Sequence, residues 1–264
     1  MPNQPTKSTC HLTHHGLRIS LVIAGLAWAA FAEEPAAQAT WKVHDMARPQ
    51  PIVVTPSGIT APVPAPSDAV VLFNGHDLTG WNGTAKLTED QSLTIGGGDL
   101  TSKEVFGDCQ LHVEWAAPQA GTGEGQNRGN SGVFLMGRYE VQVLDCYHNT
   151  TYPDGQTAAL YGMHPPLANA CLPPGTWQTY DIIWQAPRFA ADGALQSPAY
   201  ATVLHNGIAV QVHAEVYGSS TAGAAAPYRA HGDGPLRLQD HHNPVRYRNI
   251  WVRRLDLTSQ PRPR

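Results

Sequence analysis

The chain has 264 residues, with 17 Lys and Arg against 21 Asp and Glu, a formal net charge of −4 with His neutral. An acidic balance without a basic cluster argues against nucleic acid as a partner, because phosphate binding needs a concentrated positive patch. With 25 Gly and 22 Pro, the chain is rich in turns and long enough for one all-β domain beyond a leader.

Lys7 and Arg18 precede the apolar run 19–32, which ends Ala30-Phe31-Ala32 before Glu33-Glu34. A basic start, a short apolar core and an Ala-x-Ala site read as a secretory signal peptide over residues 1–32, cut after Ala32. An uncleaved anchor is the rival, but about 14 residues fall short of the roughly 20 that span a bilayer. Cys10 precedes the run, which argues against a lipoprotein anchor there. The expectation is a soluble exported protein, periplasmic or extracellular, with no stable membrane anchor. Without the leader the balance is 15 basic to 21 acidic residues, a net charge of −6.

Residues 33–67 carry Pro49, Pro51, Pro56, Pro62, Pro64 and Pro66 and have no room for a helix. They read as an extended arm laid on the domain, or as a linker. From residue 69 short strand-like runs alternate with turn clusters. Val70–Phe73 is followed by Asn74-Gly75, and Leu93–Ile95 by three glycines. Cys109 to Trp115 alternates, with Gln110, His112 and Glu114 opposite the apolar set. The stretch from Arg128 to Cys146 reads as two short strands meeting at Gly137-Arg138. In the second, Glu140 and Gln142 share one face and Tyr139, Val141 and Val143 the other. A sugar-handling surface and a solvated outer face both fit that pattern.

Residues 146–174 form a long loop, which is unusual without a function. Trp177 to Trp184 reads as a strand. Residues 200–205 and 208–214 flank Asn206-Gly207, the strongest hairpin signal in the chain. A low-complexity loop, 218–234, precedes closing strands at 236–239 and 249–257. No apolar period of 3.6 is sustained, so the fold class is all-β, a sandwich.

Of Cys109, Cys146 and Cys171, the first is in phase with the buried side of its strand. Cys146 and Cys171, at strand or loop ends, are the favoured disulfide pair. Ser131 lacks the Gly-x-Ser-x-Gly elbow of a nucleophile. No glycine-rich loop opens a helix to hold a nucleotide. Asp240-His241-His242 groups an acid with two imidazoles, a constellation equally at home as a proton shuttle or as an exposed loop.

Several stretches resemble one family. They are Leu72-Phe73-Asn74-Gly75 with Gly80-Trp81, Gly129 to Phe134, Tyr139 to Asp145, Tyr161-Gly162 with Pro165-Pro166-Leu167, and Trp177 to Asp181. His205-Asn206-Gly207, Gly234-Pro235-Leu236, Leu238 to His241 and Arg248-Asn249-Ile250 follow. Together they are similar to the 3-keto-disaccharide hydrolase domain family, over a domain taken as residues 68–258 with a short tail at 259–264. The resemblance implies a jelly-roll sandwich of the concanavalin A-like lectin and glucanase type. It also implies cleavage of glycosides whose sugar is oxidised at carbon 3, by proton abstraction at carbon 2, elimination of the anomeric oxygen and hydration. Glu140 and His241 are then the candidate base and acid, with Asp145 completing the catalytic group. Asp145, Glu114 or a divalent metal ion would orient or stabilise. Glu114, Arg128, Asn130, Gln142, Tyr161 and Gln239 would bind substrate. His242 departs from the family pattern, which has glycine there, and so bears on substrate preference and on metal binding. A lectin-like module that binds carbohydrate without catalysis is the alternative, and convergence of Glu140, Asp145 and His241 would separate the two. A retaining glucanase would need a second carboxylate about 5–5.5 Å from the first.

Overall fold

The computed structural model describes residues 41–58, 62–119 and 123–257. The expected signal peptide, its cleavage site and the tail lie outside these residues. Seventeen strands are described: β1 (Ile52–Val53), β2 (Val70–Phe73), β3 (Trp81–Asn82), β4 (Ala85–Leu87), β5 (Leu93–Ile95), β6 (Leu100–Phe106), β7 (Cys109–Ala116), β8 (Ser131–Leu135), β9 (Tyr139–Val143), β10 (Ala168–Asn169), β11 (Gln178–Gln185), β12 (Arg188–Phe189), β13 (Leu195–Ser197), β14 (Ala199–His205), β15 (Ile208–Val216), β16 (Gly234–Leu238) and β17 (Arg246–Arg254). Two short 3₁₀ turns, Gly125–Asn127 and Pro153–Gly155, are the helical elements among the described residues.

Two antiparallel sheets pack face to face as a jelly-roll sandwich. The larger runs β15-β14-β11-β7-β17-β5-β4, with β2 also paired to β17; the smaller runs β3-β6-β16-β8-β9. The alternation of each strand sends one set of side chains inward. Leu111, Val113 and Trp115 of β7 pair across the register with Ile182, Tyr180 and Gln178 of β11. Against this layer lie Val133, Leu135, Val141, Val143, Leu236 and Leu238 of the smaller sheet, all buried. Trp115, Tyr180 and Trp184 are fully buried, and truncating any one to alanine should cost about 3–5 kcal/mol.

Polar ties fix the sheets to each other beneath what becomes the functional face. The Tyr180 hydroxyl donates to the Gln142 carbonyl at 2.5 Å. The Ser131 hydroxyl donates to the Gln239 carbonyl and lies 2.6 Å from the Tyr247 hydroxyl, so Ser131 is a structural bridge. The β8–β9 turn centres on Met136-Gly137, one residue earlier than the pattern suggests. Both have positive φ, and the Arg138 amide donates to the Leu135 carbonyl. This is the primed turn whose twist matches a hairpin.

β6 is unexpected, because its Thr-Ser-Lys-Glu run hides the buried Leu100, Ser102 and Phe106. The described part of the arm is laid on the domain: β1 pairs in parallel with β10 inside the long loop, and the Val63 amide bonds the Glu114 carboxylate at 2.9 Å. Cys109 is buried as the phase of its strand requires. The expected Cys146–Cys171 disulfide is corrected to two free thiols. They do lie together, buried beside Leu144, with the Thr157 hydroxyl 3.2 Å from Cys171 Sγ and the Thr157 amide 3.2 Å from Cys146 Sγ.

Candidate active site

The outward face of the smaller sheet carries a hollow built from two rows of cross-strand neighbours. In the first row Arg237 of β16, Phe134 of β8 and Glu140 of β9 stand opposite one another. In the second, the Gln239 amide donates to the Gly132 carbonyl, and Gly132 pairs with Gln142. Glycine in the middle of this grid makes the depression. A Cβ at Gly132 would stand 2.5 Å from Glu140 Oε1 and 2.7 Å from Phe134 Cε2.

The long loop and the 218–222 segment turn this depression into a pocket. Residues 158–161 run along the free edge of β9: Ala158 donates to the Gln142 carbonyl, Gln142 to the Ala159 carbonyl and Tyr161 to the Glu140 carbonyl. At the same edge the Ser220 hydroxyl accepts the Glu140 amide at 2.9 Å. A cavity of about 220 Å³ results, with Glu140, Gln142, Tyr161, Arg237, Gln239 and His241 among its walls. That is below the roughly 300–1,000 Å³ of drug-sized sites, a volume for one small polar unit.

Six of the expected residues, Glu140, Gln142, Asn130, Tyr161, Gln239 and His241, meet in this cavity. Gln142 and Asn130 are held by Gln126 of the first 3₁₀ turn, whose side-chain oxygen accepts from Gln142 Nε2 at 2.9 Å and whose carbonyl accepts from Asn130 Nδ2 at 2.7 Å. Tyr161 shares a 2.6 Å hydrogen bond with Tyr152, on which His44 of the arm stacks with ring centroids 3.9 Å apart. Burial raises the Tyr161 phenol above its ordinary range. Gln239 Oε1 is buried without a partner and stands beside the cavity.

His241 is placed by its neighbour. Asp240 accepts the amides of Gly97 and Gly98 at 3.0 and 2.9 Å and that of His242 at 2.9 Å. These bonds hold the Asp240 carboxyl below its ordinary value and fix the loop that carries His241. Asp240 is thus an anchor of the loop. His242 is exposed and does not line the cavity.

Three expected residues do not line this cavity. Asp145 and Arg128 pair with each other at 2.9 Å just outside the cavity, because Asp145 falls beyond the end of β9. Glu114 lies on β7 of the other sheet, under the arm, where Arg248 Nε at 2.6 Å, Asn249 Nδ2 at 2.8 Å and the Val63 amide bond it. His112, 2.7 Å from Asp181 and 3.5 Å from Glu114, completes that cluster. Phe134, Arg237 and the Ser220–Ala222 wall belong to the site without having been singled out. The alternation of Leu236, Arg237, Leu238 and Gln239 carried the signal for Arg237.

Glu140 dominates the electrostatics. Its carboxyl is pushed up to about 8 by burial, with Arg237 pulling the other way. Among the described residues no hydrogen bond reaches that carboxylate. It is the one carboxylate lining the cavity, so the paired acids of a retaining glucanase are not there. No group of three or more His, Cys, Asp or Glu side chains poised for a metal ion occurs among the described residues. The cavity itself presents one carboxylate and one imidazole beside the side-chain amides of Asn130, Gln142 and Gln239. Among the described tryptophans only Trp41 is exposed.

Known proteins resemble this chain. The family model of the 3-keto-alpha-glucoside-1,2-lyase-like domain covers residues 68–253. A candidate glycosyl hydrolase of solved structure from Parabacteroides distasonis is 44% identical, superposes with a TM-score of 0.69, and is covered over 93% of its length by 78% of this chain. A second from the same organism is 20% identical with a TM-score of 0.50, over 94% of its length and 72% of this chain, and shares the fold. No curated protein matches the chain.

Proposed function

The chain belongs to the 3-keto-alpha-glucoside-1,2-lyase-like domain family, and on that premise we propose that it is an exported enzyme cleaving glycosides whose sugar carries a ketone at carbon 3. The family and its solved relative support action on glycosides. The observation that carries the finer reading is Glu140, a buried carboxylate without an ion-pair partner among the described residues, facing a cavity sized for one small polar unit. A carboxyl raised to about 8 holds its proton until mild alkali and is then a stronger base than an exposed one.

A ketone at carbon 3 acidifies the hydrogen on carbon 2. Glu140 takes that proton as the C2–H bond breaks, and the electron pair moves onto the ketone oxygen as an enolate. The enolate collapses, the bond from carbon 1 to its oxygen breaks, and His241 at the rim protonates the departing oxygen. Water then adds across the new double bond, for net hydrolysis. Gln142, Asn130, Tyr161 and Gln239 supply hydrogen-bonding groups for the sugar hydroxyls, the unpartnered Gln239 Oε1 as an acceptor.

The test compares a 3-keto-disaccharide with its unoxidised parent. The reading expects sugar release from the oxidised compound alone, and a large loss of rate in Glu140→Gln and His241→Ala. Release from the parent alone, or full activity in both variants, contradicts it. N-terminal sequencing of protein recovered outside the cytoplasm tests export, with a mature start at Glu33 expected.

A further inference from the structure

We propose that Arg237 is a catalytic residue, the electrophile that holds the negative charge of the enolate while Glu140 takes the proton; this rests on the reading of the pocket as a 3-keto-glycoside site. Arg237 and Glu140 stand at the two ends of one cross-strand row, with Phe134 between them. Two strand spacings separate their backbones, roughly 9–10 Å. Gly132 and the edge of the Phe134 ring beside it floor the gap, so a sugar ring lying there has the base on one flank and the cation on the other.

The guanidinium is fixed on two sides. Its carbon lies 3.5 Å from the Phe134 ring centroid, and Nη1 donates to Asp99 at 2.7 Å. No other hydrogen bond to the guanidinium is found among the described residues, so further N–H donors remain for a ligand. Arginine keeps its charge at any working pH and presents its donors in a rigid fork. Asp99 in turn accepts the Asp240 amide, so one carboxylate aligns both Arg237 and the loop bearing His241.

The charge balance favours this role over simple binding. In the ground state Arg237 acts against the base, because a cation stabilises the carboxylate and lowers its basicity. During proton transfer Glu140 becomes neutral and the same charge appears on the ketone oxygen, two bonds from the carbon that lost the proton. A preorganised cation on the far flank is then closer to the developing charge, which is the condition for stabilising the transition state more than the ground state.

Two measurements on wild type, Arg237→Met and Arg237→Lys decide it: turnover of a 3-keto-disaccharide, and exchange of the C2 hydrogen with deuterated solvent. Arg237→Met should lower both kcat and the exchange rate by about 10²–10³-fold, with KM changing less than about threefold. Arg237→Lys, which retains charge and spares the fold, should recover about tenfold of that loss. A folded Arg237→Met with kcat within about threefold of wild type, or a loss confined to KM, overturns the proposal. Wild-type protein inert toward the 3-keto compound, or an active Glu140→Gln, would instead overturn the reading beneath it.

Discussion

Glu114 and Glu140 occupy equivalent positions in the pattern, each on the polar phase of an alternating strand, and both are buried. Their surroundings differ completely. Glu114 is met by Arg248, Asn249, His112 and the Val63 amide, and these outweigh its desolvation and hold its carboxyl below the ordinary value. Glu140 has burial that Arg237 offsets only in part, and it rises to about 8. A carboxylate surrounded by donors is a structural clasp; one left undercompensated costs stability and is kept where chemistry needs it. The clasp secures the arm on the larger sheet, while the undercompensated acid faces the cavity of the smaller one.

The largest effect that would break this contrast is on catalysis. Glu140→Gln should lower kcat toward a 3-keto-disaccharide by about 10³–10⁴-fold. It should also stabilise the protein, by up to about 5 kcal/mol at pH 9 and little at pH 4. The sign follows from the raised value: between its unfolded value near 4.5 and about 8 the folded state binds the extra proton, so Glu140 erodes stability as pH rises. Chemical denaturation at both pH values measures this.

Glu114→Ala should behave in the opposite way. It leaves His112 and Arg248 without their shared acceptor and should cost about 3–5 kcal/mol, lowering Tm by about 10 °C, with kcat at 25 °C within about twofold of wild type. Glu114, held low, contributes above its unfolded value of 4.5 and loses that contribution as pH falls. His112 is desolvated, yet Asp181 and Glu114 raise it, so its contribution is complete below its unfolded value of 6.5 and fades as pH climbs through the raised one. The difference in stability between wild type and Glu114→Ala should therefore peak between about pH 4.5 and 6.5.

Gly132→Ala sharpens the comparison from the other side. The added methyl displaces the Glu140 carboxylate, which stands 2.5 Å from the new atom. A displaced base should cost about 10–100-fold in kcat and about 1 kcal/mol of stability or less, read by kinetics and a thermal melt.

The strands that alternate clearly, β7, β9, β11 and the Asn206-Gly207 hairpin, were legible, because period-2 burial writes itself into the residue order. The shared face of Glu140 and Gln142 was legible for the same reason. What covers a face was not. Nothing in the alternation of β7 says that Pro62 to Pro66 lies over Glu114, since that contact joins positions 51 residues apart. Asp145 follows the strand closely in sequence, but β9 ends at Val143 and the Arg128 ion pair takes the carboxylate. Arg237 was visible as a polar-phase residue. Its place beside Glu140 depends on the order β16-β8-β9, which distant pairing sets.

The central claim is that Glu140 removes the proton on carbon 2, and a pH series with substrate deuterated at that carbon tests it most directly. The account predicts a primary isotope effect on kcat/KM, and a rate that climbs about tenfold per pH unit below about 8, then levels as Glu140 ionises. Both features should vanish in Glu140→Gln. A rate flat from pH 6 to 9 with no isotope effect, retained in that variant, would contradict it.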